Sequence, residues 1–184
     1  MSTVQPKSQP ESQPHPDPAV GGLAEDDREA VRRQLGRPPR GAVGVAHRCP
    51  CGRPDVVATA PRLEDGTPFP TTFYLTCPRA ASLVGTLEAS GLMREMAGRL
   101  EGDDELATSY RAAHTDYLAR RGELEAHLGE VPEIAGVSAG GMPERVKCLH
   151  ALLGHALAAG PGTNPLGDEV REALGQWWAE GPCA

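Results

Sequence analysis

The chain has no long apolar run. Its 184 residues are 39% hydrophobic and 4% aromatic, and no stretch approaches the roughly 18 consecutive apolar residues that a transmembrane helix needs. The first residues also lack the apolar core of a secretory signal and the Arg-rich, acid-poor character of a transit peptide. We therefore predict a cytoplasmic protein that does not insert into a membrane.

Positive charge is also scarce. The chain has 18 Lys and Arg against 25 Asp and Glu, which gives a net charge of −7. This balance provides no general attraction to phosphate backbones, so it argues against general nucleic-acid binding. The partners that this composition leaves open are a small anion, held by a local site, and another protein.

Large apolar side chains are almost absent from residues 1–24, which are rich in Pro, Ser and Gln. Such a segment cannot bury enough surface to offset the entropy lost on ordering, so we predict a disordered tail. The remaining residues, 25–184, are predicted to form a single domain because their length fits one hydrophobic core.

The pattern of apolar residues changes along this domain. It predicts a short helix over 26–35 and then three strands, over 42–46, 55–60 and 71–76. Beyond Pro78 the period becomes helical, with helices predicted over 80–89, 92–100, 103–128, 143–159 and 167–179. The predicted fold class is α+β, with a small antiparallel three-stranded sheet (about 42–76) followed by a helical layer (about 79–179).

Five cysteines are the feature most suggestive of chemistry. In a reducing cytoplasm they do not form a disulfide framework, so metal binding, catalysis or simple packing remain. Cys49 and Cys51 lie two residues apart in a Pro/Gly turn, where both sulfurs can point to the same face. Cys77 ends the third predicted strand, and Cys148 is placed in the first turns of a helix.

Four thiolates suit a tetrahedral zinc ion or an iron–sulfur cluster. We therefore predict a metal site formed by Cys49, Cys51, Cys77 and Cys148. Two spare nitrogen donors are His47 and His150. Cys148 and His150 lie about 200° apart on an ideal helix, so they converge only if its first turn is irregular. Cys183 is expected to lie outside the site because chain termini tend to be mobile.

A second candidate site is the segment Gly140-Gly141-Met142-Pro143-Glu144-Arg145-Val146-Lys147. If Pro143 starts a helix, the glycines expose backbone N–H groups at its N-terminus, and Arg145 and Lys147 add positive charge. Phosphates and carboxylates bind such places. The alternative interpretation is a flexible turn before a capped helix.

These features support three hypotheses about function. The first is a metal-binding domain, zinc or iron–sulfur, with a binding or regulatory role. The second is an enzyme for a small anionic substrate, in which Cys148 is the nucleophile or His150 the acid/base group. The third is a scaffold or partner-binding protein whose cysteines pack in the core.

Five blocks of the chain, in order, resemble the DUF501 family. The resemblance spans about residues 25–183 and is carried by residues 44–52 (GVAHRCPCG), 73–78 (FYLTCP), 87–93 (LEASGLM), 140–150 (GGMPERVKCLH) and 162–167 (GTNPLG). The family is largely actinobacterial, and its genes often lie near those for enolase, a septum-formation protein and an exopolyphosphatase-like enzyme. The resemblance implies a housekeeping cytoplasmic setting, and it implies no activity and no catalytic residue.

Overall fold

The computed structural model describes residues 21–183. Most of the segment predicted to be disordered, residues 1–20 of 1–24, lies outside that range. The described part contains one antiparallel sheet in the order β1-β2-β3. Its strands are β1 (Ala42–Arg48), β2 (Pro54–Thr59) and β3 (Phe73–Leu75). The predicted three-stranded antiparallel sheet is thereby confirmed.

Within residues 21–183, one helix precedes the sheet and five follow it. They are α1 (Glu25–Leu35), α2 (Pro78–Ala89), α3 (Leu92–Gly102), α4 (Asp104–Leu128), α5 (Leu149–Ala159) and α6 (Pro165–Leu174). A short 3₁₀ turn, Pro132–Ile134, lies between α4 and α5. This arrangement confirms the α+β class. Each of the helices within residues 21–183 is too short or too polar to serve as a transmembrane span.

Helix α5 lies at the centre of the core. It is buried along nearly its whole length and packs against β3 and α6. Glycine makes both contacts close, since a Cβ on Gly154 would lie 2.8 Å from the Phe73 carbonyl oxygen of β3 and a Cβ on Gly167 of α6 would overlap the Leu152 carbonyl oxygen. The long helix α4 packs on another side of this core through Tyr117, whose hydroxyl accepts a 2.6 Å hydrogen bond from the Thr72 N–H.

Two predicted helix boundaries are wrong. Helix α5 begins at Leu149, not at Pro143, because backbone C=O and N–H groups before it are bonded outside a helical pattern. The Tyr110 hydroxyl donates to the Arg145 carbonyl (3.0 Å), and the Lys147 N–H donates to the Gly140 carbonyl (2.7 Å). The segment therefore closes into a loop.

The last helix ends at Leu174, five residues before the predicted Ala179. Gly175 follows it with φ +59°, in the left-handed region where a helix cannot continue. Beyond it, Trp177 is buried against the core, and residues 175–183 form a C-terminal segment that turns back toward the sheet.

This C-terminal segment is held by side chains from two helices. The Gln34 amide of α1 donates to the carbonyls of Pro54 (2.7 Å) and Cys183 (3.0 Å). The Arg79 guanidinium of α2 donates to the Gly181 carbonyl (2.8 Å). These bonds bring the end of the chain to the turn between β1 and β2.

Candidate metal centres

The turn between β1 and β2 positions the first two thiols. The Cys49 N–H donates to the Arg53 carbonyl (2.9 Å), and the Gly52 N–H donates to the Cys49 carbonyl (2.8 Å). Gly52 has φ +87°, which glycine adopts without the strain that a side chain would add. The tight turn holds Cys49 and Cys51 at one end of the sheet, as their spacing predicts.

The C-terminal segment supplies the third thiol. The sulfurs of Cys49 and Cys183 lie 3.6 Å apart, and one ligand atom from each of Cys49, Cys51 and Cys183 lies within 4.8 Å of the others. Cys49 and Cys183 are buried, while Cys51 is partly exposed. Cys183, which was expected to lie outside the site, is therefore placed inside it.

Cys77 lies beside this group. It follows β3 and directly precedes α2, and it is completely buried. Its thiol is near enough to Cys183 to raise the pKa of that residue, but its sulfur stands outside the group of three whose ligand atoms all lie within 4.8 Å of one another. We call Cys49, Cys51, Cys77 and Cys183 the four-thiol cluster. It draws on three parts of the chain: the hairpin turn, the end of β3 and the C-terminal segment.

The pKa values within the cluster diverge. Burial raises the pKa of the Cys49 thiol to about 11. Burial also raises the pKa of Cys183, and the thiols of Cys77 and Cys49 raise it further. Cys51 is different. Burial raises its pKa, but hydrogen bonds from the Cys183 and Arg53 N–H groups and from neighbouring thiols outweigh that effect, so the pKa is lowered.

Backbone N–H groups point at these sulfurs. The Cys51 N–H donates to the Cys49 sulfur, and the N–H groups of Cys183 and Arg53 donate to the Cys51 sulfur. Such bonds stabilise a thiolate more than a thiol, and they are one of the protein's means of tuning a metal–thiolate centre. The local backbone is thus arranged to accept negative charge on sulfur.

His47, a possible nitrogen ligand, is bonded elsewhere. Its Nδ1 lies 2.7 Å from the Asp55 carboxylate, and it is not a member of the thiol group. Asp55 is completely buried, and its other oxygen has no hydrogen-bond partner among the described residues. The pKa of Cys49 is raised mainly by burial, then by the Cys51 thiol, and to a smaller extent by the charge of Asp55.

Cys148 belongs to a second group. One ligand atom from each of Glu88, Cys148 and His150 lies within 4.8 Å of the others. Cys148 immediately precedes α5 with an extended backbone (φ −156°, ψ 108°), and this irregular start lets its thiol meet His150. Cys148 and His150 therefore meet because the start of the helix is irregular, as the sequence analysis required. The structure places both residues apart from the four-thiol cluster.

The environment of His150 favours its charged form. Its pKa is raised to about 9, chiefly by the hydrogen bond with Cys148, with burial opposing and Glu88 adding to the effect. By contrast His155 is completely buried in the core and stacks on Phe73. The Asn164 amide donates to its Nδ1 (3.2 Å) and Asp116 accepts from its Nε2 (2.9 Å), which marks it as a structural residue.

The predicted anion site at Gly140, Gly141, Arg145 and Lys147 has a different shape from the one expected. It does not lead directly into a helix, since α5 starts later. A Cβ on Gly141 would lie 2.6 Å from the Arg145 carbonyl oxygen, so this glycine allows the loop to close on itself. Anion binding at this loop stays a prediction.

The residue pattern matches a known family. The family model described as "Protein of unknown function (DUF501)" matches residues 45–172, which is more than half of the chain. The chain belongs to the DUF501 family. The resemblance found in its sequence is thus confirmed. No curated protein and no solved structure matches the chain. The part of the chain that matches the DUF501 model includes Cys49, Cys51, Cys77 and the whole Glu88–Cys148–His150 group. Cys183 lies beyond the end of the matched part.

Proposed function

We propose that this protein is a zinc-binding domain in which Cys49, Cys51, Cys77 and Cys183 hold one tetrahedral zinc ion. The observation that carries the proposal is the convergence of Cys49, Cys51 and Cys183, whose sulfurs lie within 4.8 Å of one another although 134 residues separate the first from the last. We assign the buried Cys77 as the fourth ligand of the usual set, and its sulfur would move toward the other three to reach the common ion.

The spacing of the sulfurs favours a single ion. Tetrahedral zinc with Zn–S bonds of about 2.3 Å requires sulfurs roughly 3.8 Å apart, and Cys49 and Cys183 are separated by 3.6 Å. In a cluster with several irons, sulfurs bound to different irons stand further apart. The close group of Cys49, Cys51 and Cys183 therefore supports zinc over an iron–sulfur cluster.

The proposed centre is structural. Four protein thiolates close the coordination sphere and leave no position for a substrate, which is typical of structural zinc. The ion would join the hairpin turn, the end of β3 and the C-terminal segment. Because thiols stay reduced and able to bind zinc in a reducing compartment, we also propose a cytoplasmic location, with a binding or regulatory role.

Metal analysis of anaerobically purified protein tests the proposal. After dialysis against a weak chelator, which strips ions held by fewer protein ligands, we expect about one zinc per chain, as four closed thiolate ligands imply. Cys183→Ser should lose this zinc, whereas Cys148→Ser, the matched control, should retain it. With the first equivalent of cobalt bound, the intensity of the sulfur-to-cobalt absorption should correspond to four thiolates. A wild-type protein that binds neither zinc nor cobalt would refute the proposal. If the purified protein contained iron and no zinc, the assignment of zinc as the metal would be wrong.

Zinc binding should also depend on pH. Because the pKa of Cys49 is about 11 and that of Cys183 is raised as well, both thiols carry protons at pH 7. Zinc binds thiolates, so the first equivalent should release at least two protons, and its apparent affinity should rise at least about a hundredfold per pH unit between pH 6 and 8. Calorimetry in buffers of different ionisation enthalpy counts the protons. Release of fewer than two would contradict the assignment of these thiols as ligands.

A further inference from the structure

A second set of metal ligands lies between α2 and the start of α5. Glu88 is in the last turn of α2, Cys148 precedes α5, and His150 is its second residue. The three ligand atoms lie within 4.8 Å of one another, with His150 Nδ1 3.1 Å from Glu88 Oε1. This group shares no residue with the four-thiol cluster.

The histidine is oriented as a metal ligand would be. Its Nε2 lies 3.1 Å from the Ala81 carbonyl oxygen, which can only accept, so Nε2 carries the hydrogen. A metal ion would displace the proton on Nδ1, and the lone pair so exposed points toward Glu88. Histidines that bind metals commonly donate their other ring N–H to a backbone carbonyl, which fixes the tautomer and the ring orientation.

The other two donors are held by the backbone. The Leu149 N–H donates a 2.7 Å hydrogen bond to the same Glu88 oxygen that faces His150. The extended conformation of Cys148 brings its thiol to the same place. No side chain would need to cross the structure to reach a common ion.

We infer that Glu88, Cys148 and His150 form a second metal site, for a divalent ion such as zinc or cobalt, with one coordination position open. A thiolate and a carboxylate neutralise the two charges of the ion, and the sulfur and nitrogen donors select against magnesium and calcium. Three protein ligands leave the fourth position of a tetrahedral ion to water or a small anion. The side chains of His150 (34% exposed) and Glu88 (24% exposed) are open to solvent.

Cobalt titration of the full chain tests this site. We expect two equivalents to bind, the second with weaker sulfur-to-cobalt absorption because it has one thiolate. Cys148→Ser should abolish the second equivalent, and Glu88→Gln should weaken it at least tenfold. His127→Gln, a matched control on the exposed face of α4, should leave both. Binding of the first equivalent and an unchanged circular dichroism spectrum show that each variant is folded.

The open position has its own test. Azide added to the cobalt-loaded protein should shift the absorption of the second ion and leave the first unchanged, because only the second has an exchangeable ligand. Two results would overturn the inference: a wild type that binds no ion through Cys148, or unchanged second-site binding in Cys148→Ser combined with His150→Gln. If azide leaves the absorption of the second cobalt ion unchanged, the claim that this ion has an open coordination position is wrong.

The two metal proposals can fail separately. If the wild type binds one ion that Cys148→Ser loses and Cys183→Ser keeps, the second site stands and the four-thiol proposal is wrong. If it binds one ion that only Cys183→Ser loses, the reverse holds.

Discussion

Removal of zinc is expected to release the C-terminal segment 175–183 while the helical core stays folded. The segment is held by Cys183 in the four-thiol cluster and by two sets of side-chain bonds, from Gln34 and Arg79. The contacts of α5 with β3 and α6 are made between elements that contain none of the four cysteines of the cluster. Free zinc at about a thousand times its dissociation constant stabilises the folded state by about 4 kcal/mol, and a chelator removes that contribution.

Tryptophan fluorescence can detect this release directly. The chain has two tryptophans, Trp177 and Trp178, and both lie in the C-terminal segment. Trp177 is buried and its ring centroid is 4.7 Å from that of Trp178. Chelation should therefore shift their emission to the red before the far-ultraviolet circular dichroism changes, and the melting temperature should fall as well.

Two variants make the result specific. Cys183→Ser should show the shifted emission without a chelator and no further shift with one. Cys148→Ser, which leaves the four-thiol cluster intact, should respond as the wild type does. If emission in the wild type changes only when the helices melt, zinc does not hold this segment and the structural role proposed for it is wrong.

Local patterns predicted most of the fold because most of it is locally determined. Alternating apolar residues identified three strands, and the change to a helical period beyond Pro78 identified the helical layer. The start of α5 was placed too early, since what prevents a helix after Pro143 is distant in sequence. The Tyr110 hydroxyl lies 35 residues before the carbonyl that it binds, and no local signal reveals such a bond.

In the candidate sites, too, local sequence predicts some of the residues and long-range contacts determine the others. Cys49 and Cys51 share a turn, and β3 pairs with β2, so a sequence argument could bring Cys77 to the same end of the sheet. Cys183 reaches them only because the chain reverses after Gly175. To include Cys183 from the sequence alone, all five cysteines would have had to be considered as candidates for the four ligand positions of one ion. Glu88 carried no signal at all, because a glutamate near a helix end is ordinarily solvated.

Gly167→Ala is expected to destabilise the protein by about 3 kcal/mol, because α5 and α6 are in backbone contact at this glycine. A Cβ at residue 167 would overlap the Leu152 carbonyl oxygen and lie 2.7 Å from the Ala156 Cβ. Both neighbours belong to the buried helix α5, which cannot move without opening the core. Overpacking costs about 1–3 kcal/mol and occasionally more, and we expect the upper end because a carbonyl cannot rotate away as a side chain can.

Gly122→Ala is the matched control. Gly122 also lies inside a helix, α4, but a Cβ there would meet no atom within 4 Å. The same change should therefore stabilise the protein by about 0.5–1 kcal/mol, because alanine loses less backbone entropy in a helix than glycine. Urea denaturation of the two variants should give shifts of opposite sign in the midpoint. A Gly167→Ala protein as stable as Gly122→Ala would contradict close packing of α6 on α5, and with it the path by which α6 delivers Cys183 to the four-thiol cluster.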